Sequence, residues 1–126
     1  MIRGVGIDIV DVGRVASLLA RHGERFLRRV FTDGEVGYCT GKHDPSPHLA
    51  ARFAAKEAAA KAFGIGIASG VRLKDIEVCT EGGPPRLRLH NRASVLAQDL
   101  GVTGIHLSLS HERAFAVAIV LLEGDG

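Results

Sequence analysis

The chain has no tryptophan, one tyrosine and five phenylalanines, so aromatics make up only 5% of its 126 residues. That supply is too thin for a base-stacking platform on single-stranded nucleic acid. Cysteine is also scarce. Cys39 and Cys79 stand far apart, outside any CxxC or Cys/His spacing, which argues against a disulfide framework or a zinc knuckle and for two reduced thiols. The longest purely apolar run is Ala114–Leu122, far short of the roughly 20 residues that span a bilayer as a helix. Met1-Ile2-Arg3-Gly4 leads straight into a strand-like pattern, without the basic region and cleavage site of an export signal. The expectation is a cytoplasmic protein with no membrane partner.

What is present is enough apolar material for one core: 46% hydrophobic against 24% charged residues. The balance is that of a globular protein, and the length is that of a single domain over 1–126. Around its glycines, Arg3–Val10 alternates, with Val5, Ile7 and Ile9 on one face and Gly4, Gly6 and Asp8 on the other. It is expected to be a buried strand. Asp11 opens a helix carrying Val15, Leu18 and Leu19, closed by Gly23; Glu24–Phe31 reads as a second, and Thr32-Asp33-Gly34-Glu35 as a capping box starting a third. Gly41–Pro47 reads as a polar loop. His48–Phe63, with eight alanines and no Pro or Gly, is the strongest helix, terminated by Gly64.

Beyond a glycine-rich connection over Gly64–Gly70, Val71–Thr80 and Arg86–His90 read as a hairpin. Asn91 is expected to cap a helix ending near Gly101. Ile105–Ser110 and Ala114–Leu122 form a second hairpin around His111-Glu112-Arg113. The fold class is α+β: about five strands and four or five helices, a small mainly antiparallel sheet on a long Ala-rich helix.

Net charge is only +2, but its distribution is uneven. Arginine outnumbers lysine 12 to 4, and Arg14, Arg21, Arg25, Arg28 and Arg29 fall in one stretch whose single acid is Glu24. A basic nucleic-acid-binding module would account for that bias. It would leave two carboxylates unexplained, and no nucleic-acid motif is present.

The first of these is Asp8, inside Gly6-Ile7-Asp8-Ile9-Val10, where an ionised group needs a cation or donors to replace its hydration. A strand-end cap for the next helix is the plainer reading. The second is Glu57, in Ala54-Ala55-Lys56-Glu57-Ala58-Ala59-Ala60-Lys61, four residues from Lys61 and so on one face with it. A solvated helix with ordinary ion pairs is its plainer reading. Taken together, two carboxylates from separate elements can hold one hard cation such as Mg²⁺, leaving positions for water and phosphate oxygens. Lys61, Lys56 and Arg52 could then carry the rest of a polyanion. That layout suits phosphoryl transfer, or a Mg²⁺-dependent nucleotide pyrophosphatase. His111 ends Ser108-Leu109-Ser110-His111 at a turn, where either a structural role or a ligand contact is open. His22, His43, His48, His90 and His106 show no metal-like spacing and read as structural or surface residues.

Three segments together resemble a known family. They are Gly4-Val5-Gly6-Ile7-Asp8-Ile9-Val10-Asp11, Arg52 through Gly64 (RFAAKEAAAKAFG) and Leu107-Ser108-Leu109-Ser110-His111. In order and over essentially the whole chain they look like holo-[acyl-carrier-protein] synthase, the short bacterial type of 4′-phosphopantetheinyl transferase. The resemblance implies Mg²⁺-dependent transfer of phosphopantetheine from coenzyme A to a serine of apo acyl carrier protein, releasing adenosine 3′,5′-bisphosphate and supporting fatty acid biosynthesis. It implies Asp8, Glu57 and Lys61 as catalytic residues, with Asp8 and Glu57 on the metal. Arg52, Lys61, Gly64, Pro85, Ser110 and His111 would meet coenzyme A, and Lys56 would stand behind them. The acidic carrier protein would dock on Arg14, Leu18, Arg21, Arg25, Phe26 and Arg29. A homotrimer with active sites between subunits is implied as well.

Overall fold

One helix organises the molecule. The computed structural model describes residues 1–65 and 69–125; positions 66–68 of the expected glycine-rich connection lie outside the described residues. Strand β1 (Ile2–Asp11) is followed by α1 (Val12–His22), α2 (Glu24–Val30), α3 (Asp33–Thr40) and the long α4 (Pro45–Phe63). Then come β2 (Ile76–Cys79), β3 (Arg86–Leu89), α5 (Asn91–Asp99), β4 (Val102–His111) and β5 (Phe115–Gly124). The architecture is α+β. β1, β5 and β4 form an antiparallel sheet in that order, and β2 and β3 form a separate two-stranded one. The three-stranded sheet packs on α4, whose alanines 50, 51, 54, 55, 58 and 59 are all buried against it and the surrounding helices.

Local chemistry accounts for the helix ends. Asp11 caps α1 through Arg14 N–H, and Gly23 closes it in a positive-φ conformation. The capping box at α3 is complete: Thr32 Oγ1 accepts Glu35 N–H, and Glu35 Oε1 accepts Thr32 N–H. α4 begins three residues earlier than its sequence suggests. Asp44 accepts Ser46 N–H at 3.1 Å, and Pro45 occupies the first helical position, where its missing N–H costs nothing. The prolines that looked like loop residues therefore start the helix.

Three other expectations change. Residues 71–75 are not strand: a 3-10 turn at Leu73–Asp75 is held by Asp75, which accepts from Arg72 N–H and Arg72 Nη2. Asn91 does not cap α5. It is the first residue of that helix, at φ 50°, and its side chain donates to Asp75 Oδ1 at 3.1 Å instead. The largest correction concerns β1. Val5, Ile7 and Ile9 are 54%, 59% and 65% exposed, and the glycine face is the one turned to α4. Phe115 and Ile119 of β5 lie exposed beside them.

Candidate active site

Two glycines decide where Asp8 lies. A Cβ built on Gly6 would fall 1.9 Å from the Ala58 carbonyl oxygen, and one on Gly4 would fall 2.1 Å from that of Ala62. Only glycine lets β1 approach the helix backbone so closely. The next side chain on that face is Asp8, delivered beside the turn of α4 that carries Glu57 and Lys61. Lys61 Nζ donates to Asp8 Oδ1 and to the Ile7 carbonyl, each at 3.0 Å. Burial pushes the Glu57 carboxyl above its ordinary pKa, and the neighbouring Asp8 charge pushes the same way, with Lys61 opposing both. The alternative of Asp8 as a helix cap is not what is observed; Asp11 does that work.

The pair of carboxylates is a local excess of negative charge that one lysine only partly offsets. Such a donor set fits a hard divalent cation. Among the described residues no third His, Cys, Asp or Glu joins them, so further ligands would have to be water or phosphate oxygens.

A cavity of about 510 Å³ opens here, lined by Asp8 and Glu57, by Arg14 and Leu18 of α1, and by Phe53 and Phe115 among others. Another, of about 360 Å³, shares Glu57 and has mainly apolar walls from Ala60, Ile65, Val71, Leu73 and Ile76. Phe53 and Phe115 are cavity residues that the sequence reading passed over. Their spacing resembles any core aromatic, so nothing in the pattern marked them.

The remaining candidates lie elsewhere. Arg52 is 3% exposed, with its guanidinium carbon 4.3 Å from the Tyr38 ring centre and Nη1 donating to the His48 carbonyl. His48 and His111 meet edge to face, with ring centres 5.1 Å apart. Arg52 and His111 thus belong to a second cluster at the start of α4, whereas Ser110 and His111 line a cavity with Ile9 and Phe115. His48 is part of this cluster rather than a bystander. Gly64 ends α4 in the left-handed region, and Pro85 precedes β3; neither lines the two cavities that share Glu57.

Lys56 is not a ligand-facing cation. It is fully buried, with Nζ donating to Glu35 Oε1, the Leu73 carbonyl and the Ile76 carbonyl at 2.7, 3.0 and 2.5 Å. The stretch RFAAKE reads as a polar helix face only until packing is known; both Arg52 and Lys56 are inside. Of the basic stretch, Arg14, Arg21, Arg25 and Arg29 are exposed, and among the described residues none of these four is in an ion pair, whereas Arg28 pairs with Glu24. Leu18 is half-buried. Phe26 packs edge-on against Phe31 with ring centres 5.8 Å apart, so part of it serves the core.

Comparison with known proteins now bears on this geometry. The family model for the 4′-phosphopantetheinyl transferase superfamily matches residues 4–120. The chain is 50% identical over 124 residues to the holo-[acyl-carrier-protein] synthase of Koribacter versatilis, covering 98% of this chain and 99% of that one. It is 52% identical over 121 residues to that of Moorella thermoacetica, covering 95% and 93%. The chain belongs to the holo-[acyl-carrier-protein] synthase family of 4′-phosphopantetheinyl transferases. The synthase from Neisseria meningitidis superposes with a TM-score of 0.89 at 35% identity, over 98% of this chain and 99% of that one. The synthase from Bacillus anthracis, solved in complex with CoA (3′,5′-ADP), superposes with a TM-score of 0.81 at 37% identity, over 99% of each. This synthase is therefore an enzyme of that transferase class, with the family's α+β fold.

Proposed function

We propose that this synthase takes coenzyme A as donor and moves its 4′-phosphopantetheine to a serine of apo acyl carrier protein in the cytoplasm, serving fatty acid biosynthesis. The whole of residues 1–126 acts as one transferase domain. The observation that carries the reading is the meeting of Asp8, Glu57 and Lys61 beside a cavity that Asp8 and Glu57 line together with Arg14 and Leu18.

Asp8 and Glu57 would hold Mg²⁺, which supplies charge neutralisation for a diphosphate. The serine oxygen attacks the phosphorus that carries the pantetheine arm. A new P–O bond forms, the bridging P–O bond breaks, and its electrons leave on adenosine 3′,5′-bisphosphate. Glu57 accepts the serine proton, directly or through one water, and its raised pKa brings it nearer to the strength such a base needs. Lys61 sits on the same face and would neutralise the charge growing on the leaving phosphate. Arg52, Ser110 and His111 would meet the nucleotide end, with Gly64 and Pro85 as outer contacts.

An acidic carrier protein would dock along Arg14, Arg21, Arg25 and Arg29, with Leu18 and Phe26 as apolar contacts. In one chain His111 and the Asp8–Glu57 pair line different cavities that share Ile9 and Phe115, and Val5, Ile7, Ile9, Phe115 and Ile119 form an exposed apolar sheet face. Both features support a homotrimer whose neighbouring subunit completes each site, a state that light scattering measures.

The test is mass spectrometry of apo acyl carrier protein after incubation with the synthase, coenzyme A and Mg²⁺. The carrier gains the phosphopantetheine mass with the wild-type chain and stays apo with Asp8→Ala or Glu57→Ala. Release of adenosine 3′,5′-bisphosphate without carrier protein would point instead to a pyrophosphatase.

A further inference from the structure

Asp75, at the end of the 3-10 turn, is buried, yet the arginine it holds is mostly exposed. The Asp75 side chain is 3% exposed and that of Arg72 64%. Asp75 Oδ2 accepts from Arg72 N–H and Nε at 3.2 and 3.4 Å, and Oδ1 accepts from Nη2 at 2.9 Å. Asn91, at φ 50°, adds a donation from Nδ2 to Oδ1 at 3.1 Å. An exposed arginine ordinarily samples many rotamers. This one is fastened along the Nε–Nη2 edge of its guanidinium. The Nη1–Nη2 edge lies outside that fork and can take a second carboxylate in the same planar geometry.

The position of Arg72 indicates whose carboxylate that is. Arg72 lines the cavity of about 360 Å³ that it shares with Glu57, and the other walls there are apolar. The 3-10 turn beside it packs on α2, which carries Arg25, Phe26 and Arg29 of the proposed docking face. Lys74 in that turn and Arg92 in α5 are further cations, and among the described residues neither is in an ion pair. We propose that Arg72 is a specificity-determining residue for the acceptor. The docking surface then runs from α1 and α2 past Glu57 to Arg72, whose open edge receives one carboxylate of the acidic carrier protein. That role rests on the docking reading above and adds to it a place where one carrier is told from another.

Free and fastened cations act differently. Arg14, Arg21, Arg25 and Arg29 are exposed and, among the described residues, outside any ion pair. Side chains of that kind draw in any acidic partner, chiefly by speeding the encounter. An anchored guanidinium instead requires a carboxylate at one place and one angle. It also loses less rotamer freedom when it meets one. Arg72 should therefore act on the lifetime of the docked complex, and lysine, a point charge without a fork, should not replace it.

The experiment measures initial rates of apo acyl carrier protein loading by mass spectrometry, with each substrate varied in turn. Arg72→Gln should raise the KM for carrier protein about fivefold and leave the KM for coenzyme A unchanged. Arg72→Lys, which keeps a cation beside Asp75, should show most of the same rise. Thermal unfolding reports whether each variant is folded, and Arg72→Lys carries the comparison if Arg72→Gln is not. Carrier proteins with the acids around their serine neutralised one at a time (Asp→Asn, Glu→Gln) then locate the partner. One of them should raise the wild-type KM by a similar factor and add nothing to the defect of the Arg72 variant. An unchanged carrier KM in the folded variants, full recovery in Arg72→Lys, or additive effects for every carrier variant overturns the role of Arg72. So does an equal rise in the KM for both substrates, which would place Arg72 on the donor while sparing the transferase reading. A wild-type chain that loads no carrier protein overturns that reading, and the role of Arg72 with it.

Discussion

Lys61 Nζ stands 3.0 Å from Asp8 Oδ1 across the contact between α4 and β1, joining residues 53 positions apart in the chain. The same ammonium holds the Ile7 carbonyl, so it is tied to the strand at two points. A cation so placed can turn to a leaving phosphate without reorganising the backbone. Lys61→Met should lower kcat by on the order of 10²–10³, the usual cost of removing one donor from developing charge. The KM for carrier protein should change little; steady-state kinetics with both substrates separates the two.

Gly6 controls that geometry from behind. Gly6→Ala would drive a methyl into the Ala58 carbonyl, and backbone cannot yield as a side chain can. We expect a loss of about 2–3 kcal/mol in stability, with activity falling further than stability because Asp8 moves away from Glu57. Urea unfolding and initial rates, measured on the same preparation, check both.

The buried Lys56–Glu35 pair is a structural clamp between α4, α3 and β2. Burial lowers the Lys56 pKa, while the adjacent Glu35 acts to keep it charged. Lys56→Met should cost about 3–5 kcal/mol by stranding the carboxylate. The double variant Lys56→Met/Glu35→Gln should be less destabilised than the sum, since no lone charge is left behind. Denaturant midpoints read this directly.

Acid should weaken the fold through Glu77. Burial acts to raise its pKa, but Thr32 and His90 bond to its two oxygens at 2.6 and 2.8 Å and hold it below the ordinary value of 4.5. The unfolded chain therefore binds this proton more readily than the folded one. The stabilisation is present above that ordinary value and is lost as pH falls through the lower folded value. Glu77→Gln should flatten the drop in urea midpoint across that window, measured with wild type alongside.

Much of this was legible in the sequence, and particular residues show where legibility stopped. Caps are local chemistry, so Asp11, Gly23, the Thr32–Glu35 box and Gly64 all marked true helix ends. A period of two says that the faces of β1 differ without saying which one meets the helix. Glycine against alanine won there, because close backbone contact displaced the usual preference for burying Val and Ile. Asp8, Glu57 and Lys61 stood out as charges among small apolar residues, and they do come together. The buried or clustered pairings of His48 and Glu35 did not stand out. Their partners, His111 and Lys56, are remote in sequence, and spacing carries no trace of such contacts.

The central claim is that Asp8 and Glu57 share one divalent ion. Titration of Mn²⁺ into the synthase with coenzyme A present, followed by electron paramagnetic resonance, counts bound ions. The account requires one ion per active site in the wild-type chain, and its loss in folded Asp8→Asn and Glu57→Gln. Undiminished binding in both variants would contradict it.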